Sequence, residues 1–289
     1  MSDAPTPEPM SDDAIEDATI HVELDVGTFP VIDHGDGPAV VLLHGFPDSR
    51  RLWRLQVPRL VQAGYRVIAP DMRGFGDAPM PDDVDDYRTS AAVGDVVGIL
   101  DALDVDSASL VGHDWGAAVA WLTAAIHADR IDRLVALSVG APGNSGAQTI
   151  RQREKSWYFY FFQFDVAEEW LRHDDWALAR EWTRGDGDVE RYLEDLARPG
   201  RLTAGLNWYR ANVHPEPPSD DPPGYPDITC PTMGVWPDGD NYLTEEHVTG
   251  STEKVAGEWR YERVEGASHW LMLDEPGEVN DLLVDFLGQ

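Results

Sequence analysis

The stretch Gly112-His113-Asp114-Trp115-Gly116 constrains this chain more than any other. It lies where an apolar, strand-like run, SASLVGHD, gives way to WGAAVAWLTAAIHADR, whose apolar spacing is helical. A sharp strand-to-helix turn throws its central side chain upward, and the neighbours two positions away must then be small. Gly112 and Gly116 meet that demand, and Ala117 lets the helix pack closely. The central residue is Asp114, the one ionised side chain in LVGHDWGAAVAWL. Burying a carboxylate there with no basic neighbour in sequence is costly, because desolvation penalises its charged form. Helix capping would be the incidental explanation. The chemical one is sharper. A serine at such a turn suits acyl transfer, but its attack on saturated carbon ends in an inert ether. A carboxylate forms an alkyl ester that water opens at the enzyme's own carbonyl carbon. Asp114 therefore points to epoxide opening or carbon–halogen cleavage.

Strand and helix patterns alternate on both sides of this turn. ATIHVELDVG and TFPVIDHG alternate as half-buried strands, and AVVLLHG is a buried-type run. RRLWRLQVPRLVQAG reads as one helix, YRVIAPD as a strand ending at Asp71, and SAAVGDVVGILDALD as an amphipathic helix. After the turn, IDRLVALSVG is another strand. The pattern predicts an α/β fold, a mostly parallel sheet flanked by helices. It breaks from 141 to 226, an aromatic-rich helical segment that ends in the proline-dense HPEPPSDDPPGYP. TCPTMGVWP, EWRYERVEG and EVNDLLVDFLG then restore strand, strand and helix. The expected organisation is a disordered lead-in over 1–17, a core over 18–140 and 227–289, and a helical cap over 141–226.

Composition narrows the partners. The net charge is −31, with 53 acidic against 22 basic residues, and the only lysines are Lys155 and Lys254. Such a surface disfavours nucleic acid and anionic membranes. Scarce lysine beside retained arginine suggests adaptation to high salt, where screening removes self-repulsion. The single cysteine, Cys230, suits a reducing compartment, and the acidic N-terminus resembles no secretory or transit signal. A cytoplasmic location follows as the expectation.

The rest of a catalytic set lies in the expected places. AVVLLHGFP ends a strand with His44-Gly45-Phe46-Pro47, and the backbone N–H groups of Phe46 and Trp115 would form an oxyanion hole. His44 itself reads as a turn-stabilising residue. The base should be a histidine near the C-terminus, and His269 in VEGASHWLML follows a strand and precedes the last helix. His113 adjoins Asp114, but strand alternation points it elsewhere. His21, His34, His127, His173, His214 and His247 read as surface or packing residues. The acid that orients His269 should follow TMGVWP, where Asp238 and Asp240 both stand; Asp240 is preferred, with Asp238 in reserve.

HGFP, DMRGFGDA, GHDWGA, WPDGDNYLT and GASHW together resemble the α/β-hydrolase-fold epoxide hydrolases, sisters of the haloalkane dehalogenases. The resemblance implies the α/β-hydrolase fold, with the order nucleophile Asp114, acid Asp240, base His269. It also implies two cap tyrosines that hydrogen-bond the epoxide oxygen. SWYFYFFQ matches the first at Tyr158, with Tyr160 as the fallback, and LNWYRANV matches the second at Tyr209. Proton donors are needed because an alkoxide is a poor leaving group. Phe46, Trp115, Trp157 and Phe161 are expected to border the substrate. A dehalogenase would need halide donors; Trp115 offers one, but Phe46 stands where an asparagine is usual. A non-catalytic ligand sensor on the same fold is a third reading, and it has no need for an intact nucleophile, acid and base. The implied partner is a small epoxide, with no metal or organic cofactor, acting on a monomer or homodimer.

Overall fold

The structure, a computed structural model, describes residues 7–213 and 224–289. Its centre is an eight-stranded sheet of β1 (Thr19–Leu24), β2 (Gly27–His34), β3 (Ala39–Leu43), β4 (Arg66–Pro70), β5 (Ala108–His113), β6 (Ile131–Leu137), β7 (Thr232–Pro237) and β8 (Trp259–Val264). The spatial order is β1-β2-β4-β3-β5-β6-β7-β8; β2 runs antiparallel to both β1 and β4, and all other pairs are parallel. β5 and β7 are buried along their whole length, as expected of parallel strands covered on both faces. β1 at the edge buries only Val22. From β3 the chain crosses to β4 on one side, then returns past β3 to β5 on the other. In open α/β sheets the crevice at such a reversal, beyond the strands' carboxyl ends, is where ligands bind. Asp114 stands at that edge.

The helices Thr89–Ala102 and Trp115–Ile126 pack on the sheet and on each other. Between β6 and β7 come only helices among the described residues: Ile150–Lys155, Trp157–Phe161, Ala167–Thr183, Val189–Ala197 and Arg201–Asn212. Most of the proline-dense segment, 214–223, lies outside the described residues, and so does His214. The helical stretch Ala167–Thr183 is broken at its middle, where Asp174, Asp175 and Trp176 take φ of 50°, 52° and 64°. These helices dock on the core through specific bonds: the Trp208 indole donates to the Arg73 carbonyl at 3.0 Å and Arg201 donates to the Ala78 carbonyl at 2.8 Å.

Two expectations are corrected. The run RRLWRLQVPRLVQAG is not one helix: a 3-10 turn, Arg50–Leu55, precedes the helix Val57–Gln62. Pro58 lacks an N–H and suits only the first turn of a helix, so it starts a new one instead of continuing the old. The lead-in expected to be unstructured over 1–17 contains the helix Asp12–Asp17, capped by the Ser11 hydroxyl and pinned by a fully buried Ile15. The acidic composition hid that single apolar anchor. Residues 1–6 lie outside the described residues.

Ile15→Ala is expected to destabilise the protein by about 2–4 kcal/mol, the range for emptying a fully buried isoleucine site, read from urea unfolding. An effect below about 0.5 kcal/mol would mean that this helix does not belong to the folded core.

Candidate active site

The turn after β5 carries its strain at one residue. Asp114 has φ 53° and ψ −124°, a conformation that non-glycine residues adopt only when their surroundings enforce it. A Cβ on Gly116 would overlap the carbonyl oxygens of Leu43 and His44, so the helix can approach β3 this closely only without a side chain. A Cβ on Gly45 would collide with the Asp114 carboxylate and the Trp115 nitrogen. Between these glycines the carboxylate is gripped by backbone: Phe46 N–H donates to Asp114 Oδ1 at 2.8 Å. His44 secures this loop as a neutral ring. Met72 N–H donates to its Nε2 at 2.9 Å, its Nδ1 lies 3.0 Å from the Gly45 carbonyl, and burial lowers its pKa. That is the turn-stabilising part expected of it.

The expected base, His269, approaches from the loop after β8. His269 is 3% exposed; its Nε2 lies 3.7 Å from Asp114 Oδ2, and its Nδ1 lies 2.9 Å from Asp240 Oδ2. The other oxygen of Asp240 accepts N–H bonds from Tyr242 at 2.7 Å and Leu243 at 2.9 Å, which fix the carboxylate edge-on to the ring. Asp238 is elsewhere: it accepts from Gly266 N–H at 2.7 Å and pairs with Arg263 at 3.2 Å, closing a surface turn. Burial alone would depress the His269 pKa, but the Asp240 charge, then the Asp114 carboxylate, more than reverse this and carry it up to about 10. Burial likewise pushes Asp114 upward, and the His269 ring outweighs it, so its carboxyl ends below the usual range.

Aromatic side chains from the helices above close the site. Tyr158 and Tyr209 are both buried, with ring centroids 5.9 Å apart, and Tyr209 meets Trp115 at 5.2 Å. Burial keeps both phenols well above their normal pKa, helped by each ring's other neighbours, Asp114 among them. They stay protonated at any working pH. Tyr160 is 48% exposed on the other side of its helix.

Helix phase also corrects two of the expected lining residues. Trp157 is half exposed and packs against Phe161 on the outer side, whereas Phe162, four residues after Tyr158, shares its inward face. Phe162 touches Phe46, Tyr158, Tyr209 and Trp182. Phe46 and Trp115 do border the site, both against Tyr209.

Several contributors escape a reading of motifs. Gln152 is buried and stitches the helix Ile150–Lys155 to the acid's loop, donating to the Tyr242 carbonyl at 2.9 Å and accepting from Thr244 N–H at 2.9 Å. Lys155 donates to the Asp240 carbonyl at 2.5 Å. His113 and the Ser138 hydroxyl hold the His269 carbonyl at 2.9 and 3.0 Å, so His113 steadies the backbone of His269. Nothing local in REKSW or SVGAP marks these parts, because each acts on a residue far away in sequence. An open, charged depression of about 830 Å³ between Asp12, Arg51, Arg180 and Arg191 holds none of this chemistry. Among the described residues no three His, Cys, Asp or Glu side chains cluster as a metal site.

Residues 38–276 match the family described as alpha/beta hydrolase fold. The chain is similar to the AB hydrolase superfamily protein YfhM of Bacillus subtilis, at 36% identity over 87% of this chain and 91% of that protein. It is also similar to Epoxide hydrolase A of Mycobacterium tuberculosis, at 32% identity over 89% of this chain and 93% of that protein. Among solved structures, Epoxide Hydrolase A from Mycobacterium thermoresistibile superposes with a TM-score of 0.78 at 28% identity, covering 93% of this chain and 97% of that one.

A histidine whose folded pKa is raised lends stability that is complete below its unfolded value and is lost as pH climbs through the folded one. The stability difference between the native protein and His269→Gln should therefore be largest below about pH 6.5. It should shrink steadily up to about pH 10, in urea unfolding followed across pH. A difference independent of pH would mean that His269 is not held as an imidazolium between the two carboxylates.

Proposed function

The chain belongs to the α/β-hydrolase-fold epoxide hydrolase family, and we propose that it hydrolyses epoxides to vicinal diols through a covalent ester on Asp114. The observation that carries this reading is the seating of one mostly buried carboxylate, 3.7 Å from an imidazole, beneath two protonated phenols. Asp114 attacks a ring carbon, and the carbon–oxygen bond breaks as Tyr158 and Tyr209 hydrogen-bond the departing oxygen. The opened oxygen takes up one proton through a phenol, replenished from the His269 imidazolium. Once Asp114 is an ester its charge is gone, and with it part of what kept the proton on His269. The neutral ring, oriented by Asp240, then draws a proton from water, and hydroxide attacks the ester carbonyl. The oxygen that develops negative charge there is the one facing the N–H groups of Phe46 and Trp115. Collapse releases the diol and restores the Asp114 carboxylate beside His269 imidazolium. Overall, one epoxide and one water become one diol, and no proton is left over.

The enclosure of aromatic rings supports an apolar epoxide of modest size, with Phe46, Trp115, Phe162 and Trp182 nearest the reacting groups. One feature favours dehalogenation as a second reading: the Trp115 indole N–H is buried inside the site, facing the Tyr209 hydroxyl. Halide release from short haloalkanes, together with halide quenching of Trp115 fluorescence, would support it. The charge of −31 supports work in concentrated salt, in the cytoplasm and away from nucleic acid or anionic membranes. No helix among the described residues is long and apolar enough to cross a membrane.

In single turnover with 18O-water, label should enter Asp114 before it appears in product; label found only in the first diol would exclude the ester. His269→Gln should accumulate the ester, detectable as intact protein heavier by the substrate mass. Tyr158→Phe and Tyr209→Phe should each slow ring opening by roughly 10- to 100-fold, the range for losing one of two positioned proton donors. Stopped-flow tryptophan quenching measures that step, and unaltered ring opening in both variants would remove the phenols from it.

A further inference from the structure

The reaction leaves one buried acid unused. Asp48, in the loop that also supplies Phe46, is only 5% exposed, and its backbone N–H bonds the Gly45 carbonyl at 2.9 Å. Its Oδ2 accepts the Trp270 indole N–H at 2.8 Å. No arginine, lysine or histidine forms an ion pair with it among the described residues. Arg50, two residues on, is committed to Asp71 and Glu16. On its other side stands Tyr192, from the helix Val189–Ala197, whose ring stacks on Trp270 at 5.6 Å and 29°. The Tyr192 hydroxyl is buried, facing Asp48 and the Asp188 backbone. The remaining charged groups that face Asp48 are acids, Asp188 at the start of the Tyr192 helix and Asp114 in the elbow; Asp188 is itself paired with Arg54 at 2.7 Å. Trp270 in turn packs edge-on against the rings of His269, at 5.2 Å, and Tyr242, at 5.9 Å.

We propose that Asp48 is a positioning residue for His269: a buried carboxyl without a cationic partner that accepts from the Trp270 indole and faces the Tyr192 hydroxyl, fixing the ring that buttresses the base to the helices above it. This rests on the reaction proposed for Asp114 and His269. An aliphatic side chain would fill the same space without burying a polar group. Unlike an aliphatic side chain, the carboxyl offers an acceptor to the indole and a polar partner to the phenol, one on each side. Burial first, then the Asp188 charge, push its pKa up to about 8, against the opposing bonds of the Trp270 indole and the Tyr192 hydroxyl. Ionisation would place an uncompensated anion beside Asp188 and Asp114, so the buttress loosens as pH rises through that value. His269 keeps its own proton to higher pH, which separates the two titrations.

Three measurements on the full chain test this. The Trp270 indole N–H resonance, assigned through Trp270→Phe, should shift with a midpoint near pH 8 and lose that titration in Asp48→Asn. Styrene oxide turnover should fall along a limb at the same pH, and Asp48→Asn, which keeps an acceptor and a donor but cannot ionise, should abolish the limb. Asp48→Leu should lose at least tenfold in kcat with KM within about twofold, and Asn should restore most of that loss. By linkage, an acid with a raised folded pKa costs stability progressively between about pH 4 and 8, so Asp48→Asn should gain on the native protein across that interval in urea unfolding. An indole that does not titrate, or an Asn variant as impaired as Leu, overturns the proposal. If the chain opens no epoxide at all, the reaction reading fails, while the indole titration and the stability curves still decide the state of Asp48. Should Asp48→Leu not fold, Asp48→Asn alone carries the test.

Discussion

A carboxylate at the apolar end of a buried sheet exists only because donors converge on it. Phe46 N–H grips one oxygen of Asp114 at 2.8 Å, and the His269 ring stands 3.7 Å from the other. Without them, desolvation would leave Asp114 protonated and useless as a nucleophile. With them its pKa falls below the ordinary carboxylate value despite burial. Everything nearby serves that convergence. Gly45 has no side chain because one would occupy the carboxylate's place, and Gly116 has none because the helix carrying Trp115 must touch the backbone of β3. The backbone strain at Asp114 is what aims the group out of the sheet. The grip on the resting anion is also the grip that the oxyanion of the proposed ester's breakdown would need.

The helices above the sheet are part of this arrangement and not merely a cover. Gln152 and Lys155 bond the loop of Asp240 from the same helix, so displacing that helix would disturb the acid that orients the base. The aromatic rings over Asp114 exclude water, which strengthens each charge interaction inside and keeps both phenols protonated. The same helices carry Tyr192 to Asp48, beside the base. Hydrogen bonds thus tie these helices to the Asp240 loop.

Charge elsewhere is arranged by depth. Arg73 forms a two-pronged pair with Asp95, both bonds at 2.6 Å, and Arg50 pairs with Asp71, whose carboxylate also accepts N–H bonds from Arg50 and Asp77. These buried pairs order the DMRGFGDA loop beneath the cap, where arginine's planar fork matches a carboxylate as lysine cannot. Exposed pairs such as Arg88–Asp85 contribute little each and fade with salt. An acidic protein working in salt would thus rely on its core pairs, which solvent ions do not reach.

The sequence by itself determined the strand and helix alternation, the turn at Asp114, its N–H donors and the histidine near the C-terminus. These are written in local sterics and periodicity: a glycine two positions either side of a carboxylate, an apolar run ending in His-Gly-Phe-Pro. Only the tertiary structure decided the rest. Asp238 and Asp240 are chemically equal in sequence, and what separates them is that one loop oxygen meets His269 while the other closes a turn with Gly266. Tyr158 and Phe162 turn inward where Tyr160 and Trp157 turn out, because a helix's phase is set by what it packs on. Ile15 makes a helix of an acidic lead-in, and Gln152 reaches a loop ninety residues away. Such contacts carry no local signature, since their energy comes from partners that only folding brings within reach.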